Sequence, residues 1–290
     1  MVTSLRTLGI IAIAFVLAGA CTARADESQD PRLQEFRAKL RALDWVRGPR
    51  EVTANGNATL SLPEGYVYLD AANTKKFLEL NQNLGSGREV MIAPKSLDWT
   101  AYLQFDDAGY VKDDEKIDAD AILKTLKESN EAGNEERKRR GWTELHLVGW
   151  SIPPAYNDTT KRLEWATMLR SPDGESTNFF TKVLGRRGYT SVIMVSSPDN
   201  APGATADLNT VLTGYRFNGG DTYADWRPGD KVAEYGLAGL IVGGAVAAAA
   251  KTGLLKGLFV ALAAAWKLVV AAVVAVLAGL KNLFFKRKQA

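Results

Sequence analysis

RLEWATMLR (162–170), TNFFTKVL (177–184) and YTSVIMVS (189–196) are the stretches on which the fold turns. Leu163, Trp165, Thr167 and Leu169 alternate with polar or small residues, as do Tyr189, Ser191, Ile193 and Val195. A period of two is the side-chain period of a β-strand. Ser171-Pro172-Asp173-Gly174 and Gly185-Arg186-Arg187-Gly188 join the three runs, and connections this short make neighbouring strands antiparallel. Glu144 to Ile152 adds a fourth strand ahead of them. The pattern predicts an antiparallel meander with one face buried.

Working outward, a long helix is expected from Ala119 to Arg139. Asp113-Asp114-Glu115 and Asp118 precede it, where carboxylates oppose the positive end of the helix dipole. Arg137-Lys138-Arg139-Arg140 suits its other end, and Gly141 closes it. Its apolar residues are Ile122, Leu123 and Leu126, so the charged second half is expected to lie exposed. Nearer the N-terminus, Asp30-Pro31 opens a helix with Leu33, Phe36, Leu40 and Leu43 on one face. Glu51 to Ala54 and Ala58 to Leu62 flank Asn55-Gly56-Asn57, a hairpin signal. Strands are expected at Tyr66 to Leu69, Arg88 to Ala93 and Trp99 to Phe105, with a helix from Ala71 to Leu84 among them. A last helix, Thr205 to Leu212, leads into Tyr215-Arg216-Phe217. The fold class is therefore α+β: an antiparallel β-sheet with helices packed on its faces, followed by an apolar helical C-terminal membrane region.

Charge divides the 290-residue chain. All 33 acidic residues lie between Asp26 and Glu234, a stretch with net charge −6, while the seven basic residues after it give the tail +7. An acidic domain argues against nucleic acid as a partner, since phosphate-backbone binding is driven by Lys and Arg. The basic apolar tail points to a lipid bilayer with an anionic inner surface.

The first residues read as a signal peptide over 1–25: Arg6, then the apolar Leu8 to Ala20, then the small-x-small site Ala23-Arg24-Ala25. An uncleaved anchor is one alternative. Lipidation at Cys21, the only cysteine, is another, although Ala18 stands where a lipoprotein site usually has Leu. Cleavage after Ala25 leaves a mature chain without cysteine, so without disulfides or thiolate chemistry. The expected layout is a periplasmic domain over 26–233 and a membrane region over 234–290, held at the bacterial inner membrane.

In the tail, Leu237 to Ala250 carries no charge, and Leu254 to Leu280 is apolar apart from Lys256 and Lys267. A helix needs roughly 17 to 25 such residues to cross a bilayer. Gly239, Gly243 and Ala247 stand four apart, the small-xxx-small pattern of associating membrane helices. That favours a helical hairpin turning at Lys251 to Gly253. Placing Lys286-Arg287-Lys288 in the cytoplasm instead requires an odd number of crossings. Lys256, Lys267 and Lys281, 11 and 14 residues apart, fall on one helix face, as in a helix lying along the interface. Both topologies stand. Lys267 at mid-membrane also raises a subunit of a transport complex.

Chemistry is sparse. His146, the one histidine, lies mid-strand in Leu145-His146-Leu147-Val148-Gly149-Trp150. A catalytic base is usually His, and His146 with Trp150 marks a candidate sheet-face site. No Gly-x-Ser-x-Gly elbow accompanies it, and no second His completes a zinc site. The acidic run 113–120 lacks the spacing of a calcium loop. No catalytic set, cofactor or metal is expected, and no small-molecule ligand is identified. The reading is a non-enzymatic binding or assembly module, with a membrane protein as a possible partner through the C-terminal helices. A carboxylate hydrolase of the envelope assisted by His146 is the alternative.

Several motifs in order carry a resemblance: Gly109-Tyr110-Val111-Lys112-Asp113-Asp114, Asn130-Glu131-Ala132-Gly133-Asn134-Glu135-Glu136-Arg137, Leu145 to Trp150 with Pro153-Pro154, Leu163-Glu164-Trp165-Ala166, Leu184-Gly185-Arg186-Arg187-Gly188 and Asp230-Lys231-Val232-Ala233-Glu234-Tyr235-Gly236-Leu237. From about Trp45 onward the chain resembles a family of bacterial membrane-anchored proteins known as a domain of unknown function. The resemblance implies the same layout and no activity. Leu62-Pro63-Glu64-Gly65-Tyr66 and Leu212-Thr213-Gly214-Tyr215-Arg216-Phe217 are similar to PsbP-like domains, antiparallel sheets with helices on both sides that often act as binding or assembly modules.

Overall fold

A computed structural model describes residues 31–54 and 56–243. The signal-peptide segment, Cys21, Ala247, Lys256, Lys267 and Lys281 lie outside them. In chain order the elements are α1 (Pro31–Arg41), β1 (Val46–Arg47), β2 (Arg50–Thr53), β3 (Ala58–Leu62), β4 (Tyr66–Leu69), α2 (Ala71–Leu80), β5 (Val90–Pro94), β6 (Trp99–Asp106), α3 (Ala119–Arg139), β7 (His146–Asn157), β8 (Arg162–Ser171), β9 (Gly174–Leu184), β10 (Tyr189–Ser196), α4 (Ala201–Leu212), β11 (Tyr215–Phe217) and α5 (Leu237–Val242). A short 3-10 helix covers Tyr223–Asp225.

An eight-stranded antiparallel sheet runs β1-β4-β5-β6-β10-β9-β8-β7, and a three-stranded sheet runs β11-β3-β2. On one face of the large sheet, Trp99, Ala101, Leu103, Val192, Met194 and Phe179 meet Val52, Leu60 and Leu62 of the small sheet and Ala204, Leu208 and Val211 of α4. The other face holds two clusters. Tyr102, Val195 and Met91 pack against Phe77 and Leu78 of α2. Leu163, Trp165, Phe180, Leu184 and Tyr189 pack against Ile122 and Leu126 of α3 and Leu237, Leu240 and Ile241 of α5.

The meander is therefore buried on both faces at β9 and β10, not on one. The alternation in the sequence is real, but its polar members sit inside. Thr181 and Thr190 have no exposed surface, and Thr190 Oγ1 lies 2.5 Å from the Tyr215 hydroxyl, a buried hydroxyl pair that removes the cost of an unmet donor.

β7 also runs further than expected, through Pro153 and Pro154. As the sheet's last strand it has one free side, and register shifts between Leu147 and Ala155 break its pairing with β8. Proline and bulges are tolerated at such an edge, and they blunt it against pairing with another chain.

Two helices end earlier than the apolar pattern predicts. α2 stops at Leu80 rather than Leu84, with Gln82 at φ 55. The helix expected from Leu237 to Ala250 is α5 alone within the described residues: it ends at Val242, and Gly243 has φ 92, a left-handed conformation that glycine adopts without strain. Among the described residues no helix is long and apolar enough to cross a membrane.

Candidate functional site

α3 is stitched to the edge strand. Asn134 is almost fully buried, its Oδ1 accepting from Leu145 N (3.0 Å) and its Nδ2 donating to Leu145 O (2.9 Å). Asn130 Oδ1 accepts from Leu147 N at 2.9 Å, and Arg137 Nε donates to Thr143 O. These side chains satisfy backbone groups that an edge strand otherwise leaves open. So the second half of α3 is not a solvated face, as its charge suggests; one side of it docks on β7.

The acidic run divides its work. Asp118 Oδ1 caps α3 by accepting from Ala121 N at 3.1 Å. Glu115 Oε2 accepts from Ala238 N at 3.0 Å in the first turn of α5. Asp113 accepts from the Tyr156 hydroxyl (2.7 Å) and from Lys161 Nζ (3.1 Å). Burial alone raises the Asp113 pKa, but these bonds and the Lys161 charge outweigh it and hold the group below its ordinary value. At Gly236 a Cβ would stand 2.4 Å from Glu115 Oε2, so the glycine makes room for the carboxylate that caps α5.

Arg186 forks onto Asp230 with two bonds, 2.7 and 2.9 Å, and Arg187 forks onto Asp221 at 2.8 Å. The arginine partner brings the Asp230 pKa down to about 2. These pairs fix the segment leading into α5 against the β9–β10 turn.

Between α3, α5 and the sheet lies a pocket of about 400 Å³, including its open mouth. Leu126 and Asn130 come from α3, Leu147 from β7, Trp165, Thr167 and Leu169 from β8, Asn178 and Phe180 from β9, and Ile241 from α5. Trp165 and Phe180 stack with centroids 5.0 Å apart. Asn178 is 1% exposed and its Oδ1 has no hydrogen-bond partner; Ser176 Oγ, on the same face of β9, has none either. Buried polar groups without partners are rare, and a concave, mostly apolar lining with a few polar groups is the usual form of a small-molecule site.

On the same face, Lys182 Nζ donates to Ser191 Oγ at 2.5 Å and lies 5.8 Å from the Trp165 ring centroid and 5.4 Å from that of Tyr189. Burial lowers its pKa to about 8.

The structure scatters the residues singled out in the sequence. His146 is on the edge strand, its side chain half exposed, with Nδ1 3.1 Å from Glu131 Oε1. Trp150 is partly buried and donates from Nε1 to Ala119 O at 3.2 Å. Their partners on α3 are about 18 Å apart along the helix, so each is engaged at a different end of it. Gly239 sits inside α5 with its Cα toward Tyr235, where a Cβ would be 2.6 Å from that residue's Cβ, and Gly243 ends the helix. Within the described residues, Gly239 therefore packs closely on Tyr235, and Gly243 gives the helix its left-handed end. The pocket is not visible in the sequence: Asn178 lies in an expected strand and Ser176 just before it, and nothing local shows which face they take. Among the described residues no three of His, Cys, Asp and Glu gather as for a metal ion.

No curated protein matches the chain. Among solved structures it is weakly similar to cyanobacterial PsbP from Synechocystis sp. PCC 6803, at 12% identity and a TM-score of 0.33, covering 60% of this chain and 92% of that one. The profile of the family described as protein of unknown function, DUF2167, matches residues 47–276. That span takes in both sheets but for Val46, the pocket and most of the apolar tail, and the chain belongs to the DUF2167 family.

Proposed function

We propose that this protein is an exported binding module, tethered to the inner membrane of a bacterium by its apolar tail, that recognises its ligand in the pocket between α3 and α5. The observation that carries the reading is Asn178, a buried amide oxygen without a partner in a mostly apolar pocket. The join between pocket and tail supports it. Ile241 lines the pocket, and Leu237, Leu240 and Ile241 anchor α5 in the core just ahead of the apolar stretch. Occupancy of the pocket thus bears directly on the helix from which the tail departs. The signal-like N-terminus supports export, and the family match running to residue 276 makes the apolar stretch part of what the family shares.

Fractionation of cells with protease treatment tests the location. The domain should sediment with inner membranes and be digested in spheroplasts, and truncation after Val242 should release it to the periplasmic fraction. A domain protected in spheroplasts contradicts export. Labelling a C-terminal tag from the periplasm separates the two tail topologies.

The Lys182–Ser191 pair favours a second reading. A lysine with a lowered pKa beside a serine hydroxyl is one way of activating a nucleophile. Against it, both side chains are more than nine-tenths buried. A fluorophosphonate probe should leave the protein unlabelled; labelling that disappears in Ser191→Ala establishes the nucleophile instead.

A further inference from the structure

We infer that the α3–α5 pocket takes a small, electrically neutral, compact apolar molecule that carries a single N–H or O–H donor for the Asn178 carboxamide. The inference rests on the binding-module reading and adds the ligand's chemistry to it.

Charge is decided by the lining. No charged side chain contributes to it, so an ion entering would lose hydration without gaining a partner. Size follows from volume. Most of the 400 Å³ belongs to the open mouth, so only a small part of a ligand passes between α3 and α5 to reach Asn178. Shape follows from the stacked Trp165 and Phe180 side chains, with Leu126, Leu147 and Ile241 around them, which suit a flat or branched apolar body. The polar requirement follows from β8 and β9. Asn178 and Thr167 both line the pocket and are paired across the two strands, and Ser176 pairs with Leu169 beside them. The Asn178 oxygen lacks a donor, and turning the amide about its last torsion exchanges oxygen and nitrogen in nearly the same space. A ligand donor meets an acceptor that the fold leaves unmet, whereas an isostere without that donor leaves it unmet still, and sites of this kind discriminate strongly.

Indole and indene are the probes: both are neutral, flat and equal in size, and only indole has an N–H. The full chain, labelled with nitrogen-15 in detergent micelles, is titrated with each, and the amide signals of the pocket residues are followed. Partition into micelles is the same for every variant and cancels between them. Indole should shift these signals saturably, about tenfold more tightly than indene. In Asn178→Leu the preference should shrink to within about twofold, and charged indole-3-carboxylate should not bind. Thermal melts confirm that the variant is folded; if it is not, Asn178→Ala, which removes the amide without adding bulk, replaces it and should lose the preference in the same way. Equal binding of indole and indene overturns the donor requirement and leaves the pocket as the binding site. Failure of both probes, with Ile241→Trp (which fills the pocket) leaving membrane association and cellular function unchanged, overturns the pocket reading itself. An ordered water that satisfies Asn178 and that neither probe displaces also overturns the inference.

Discussion

Trp165→Ala is expected to destabilise the domain by about 3–5 kcal/mol. Trp165 is 2% exposed at the centre of the cluster between the large sheet, α3 and α5. Three losses coincide there. The transfer free energy of the indole disappears, the Phe180 ring loses its stacking partner, and Lys182 loses one of the two rings beside its ammonium group. The pocket already borders the site, so the new void joins an existing one and neighbouring side chains have little to collapse onto. Urea unfolding followed by far-ultraviolet circular dichroism measures this. The midpoint should fall with little change in slope. A loss below about 1 kcal/mol would mean that Trp165 is not packed as described.

Lys182→Met should act in the opposite direction and stabilise the protein at pH 7 by on the order of 1–3 kcal/mol. Lys182 is buried without a carboxylate bonded to it, and burial is the main cause of its lowered pKa. The sign follows from proton linkage. The pKa is about 8 in the folded chain against an ordinary 10.5. Below about pH 8 both states carry the proton, and the folded state bears the full cost of the buried charge. From pH 8 to 10.5 the unfolded chain binds more protons, so this group makes stability rise with pH, by on the order of 3 kcal/mol across the window. Methionine matches the length and apolar body of the lysine stem and removes the charge. Ser191 then lacks its donor, which subtracts about 1 kcal/mol. Melts of both proteins between pH 7 and 10.5 read the result. Wild type should gain on the Lys182→Met variant as pH rises. A variant less stable than wild type at pH 7 would show that the lysine holds the sheet together.

Much of the large sheet was legible in the sequence because its strands are long and their turns carry Gly, Pro and Asp. β8, β10 and α3 lie within a residue of where periodicity puts them. What escaped was long-range. Nothing in Thr181, Thr190 or Ser191 says that a second sheet will cover the face to which Thr190 turns, so buried hydroxyls passed for solvated ones. Charge density hid the docking of α3, since the residues that bond to β7 are interleaved with Lys138, Arg139 and Glu135, which do face solvent. The apolar run from Leu237 to Ala250 reads as one segment because hydropathy does not distinguish a core helix from a membrane helix. Its first turns, Leu237 to Val242, are core.

The candidate site was less legible still. A single histidine drew notice by its chemistry, yet it ends half exposed beside Glu131. The residues that make the pocket come from α3, β7, β8, β9 and α5, which only the fold brings together. The family motifs were informative in a different sense. Asn134, Arg186, Asp230, Asp113 and Gly236 all proved to be joints between elements. They hold α3 and α5 over the sheet at the spacing that leaves the pocket open.

Native mass spectrometry of the full chain, gently extracted from its own membranes, tests the central claim most directly. The account predicts an additional small neutral mass bound to the wild-type protein and absent from Ile241→Trp, with both proteins equally retained in the membrane fraction. The same bare mass for both, or the same adduct on both, would contradict a ligand held between α3 and α5.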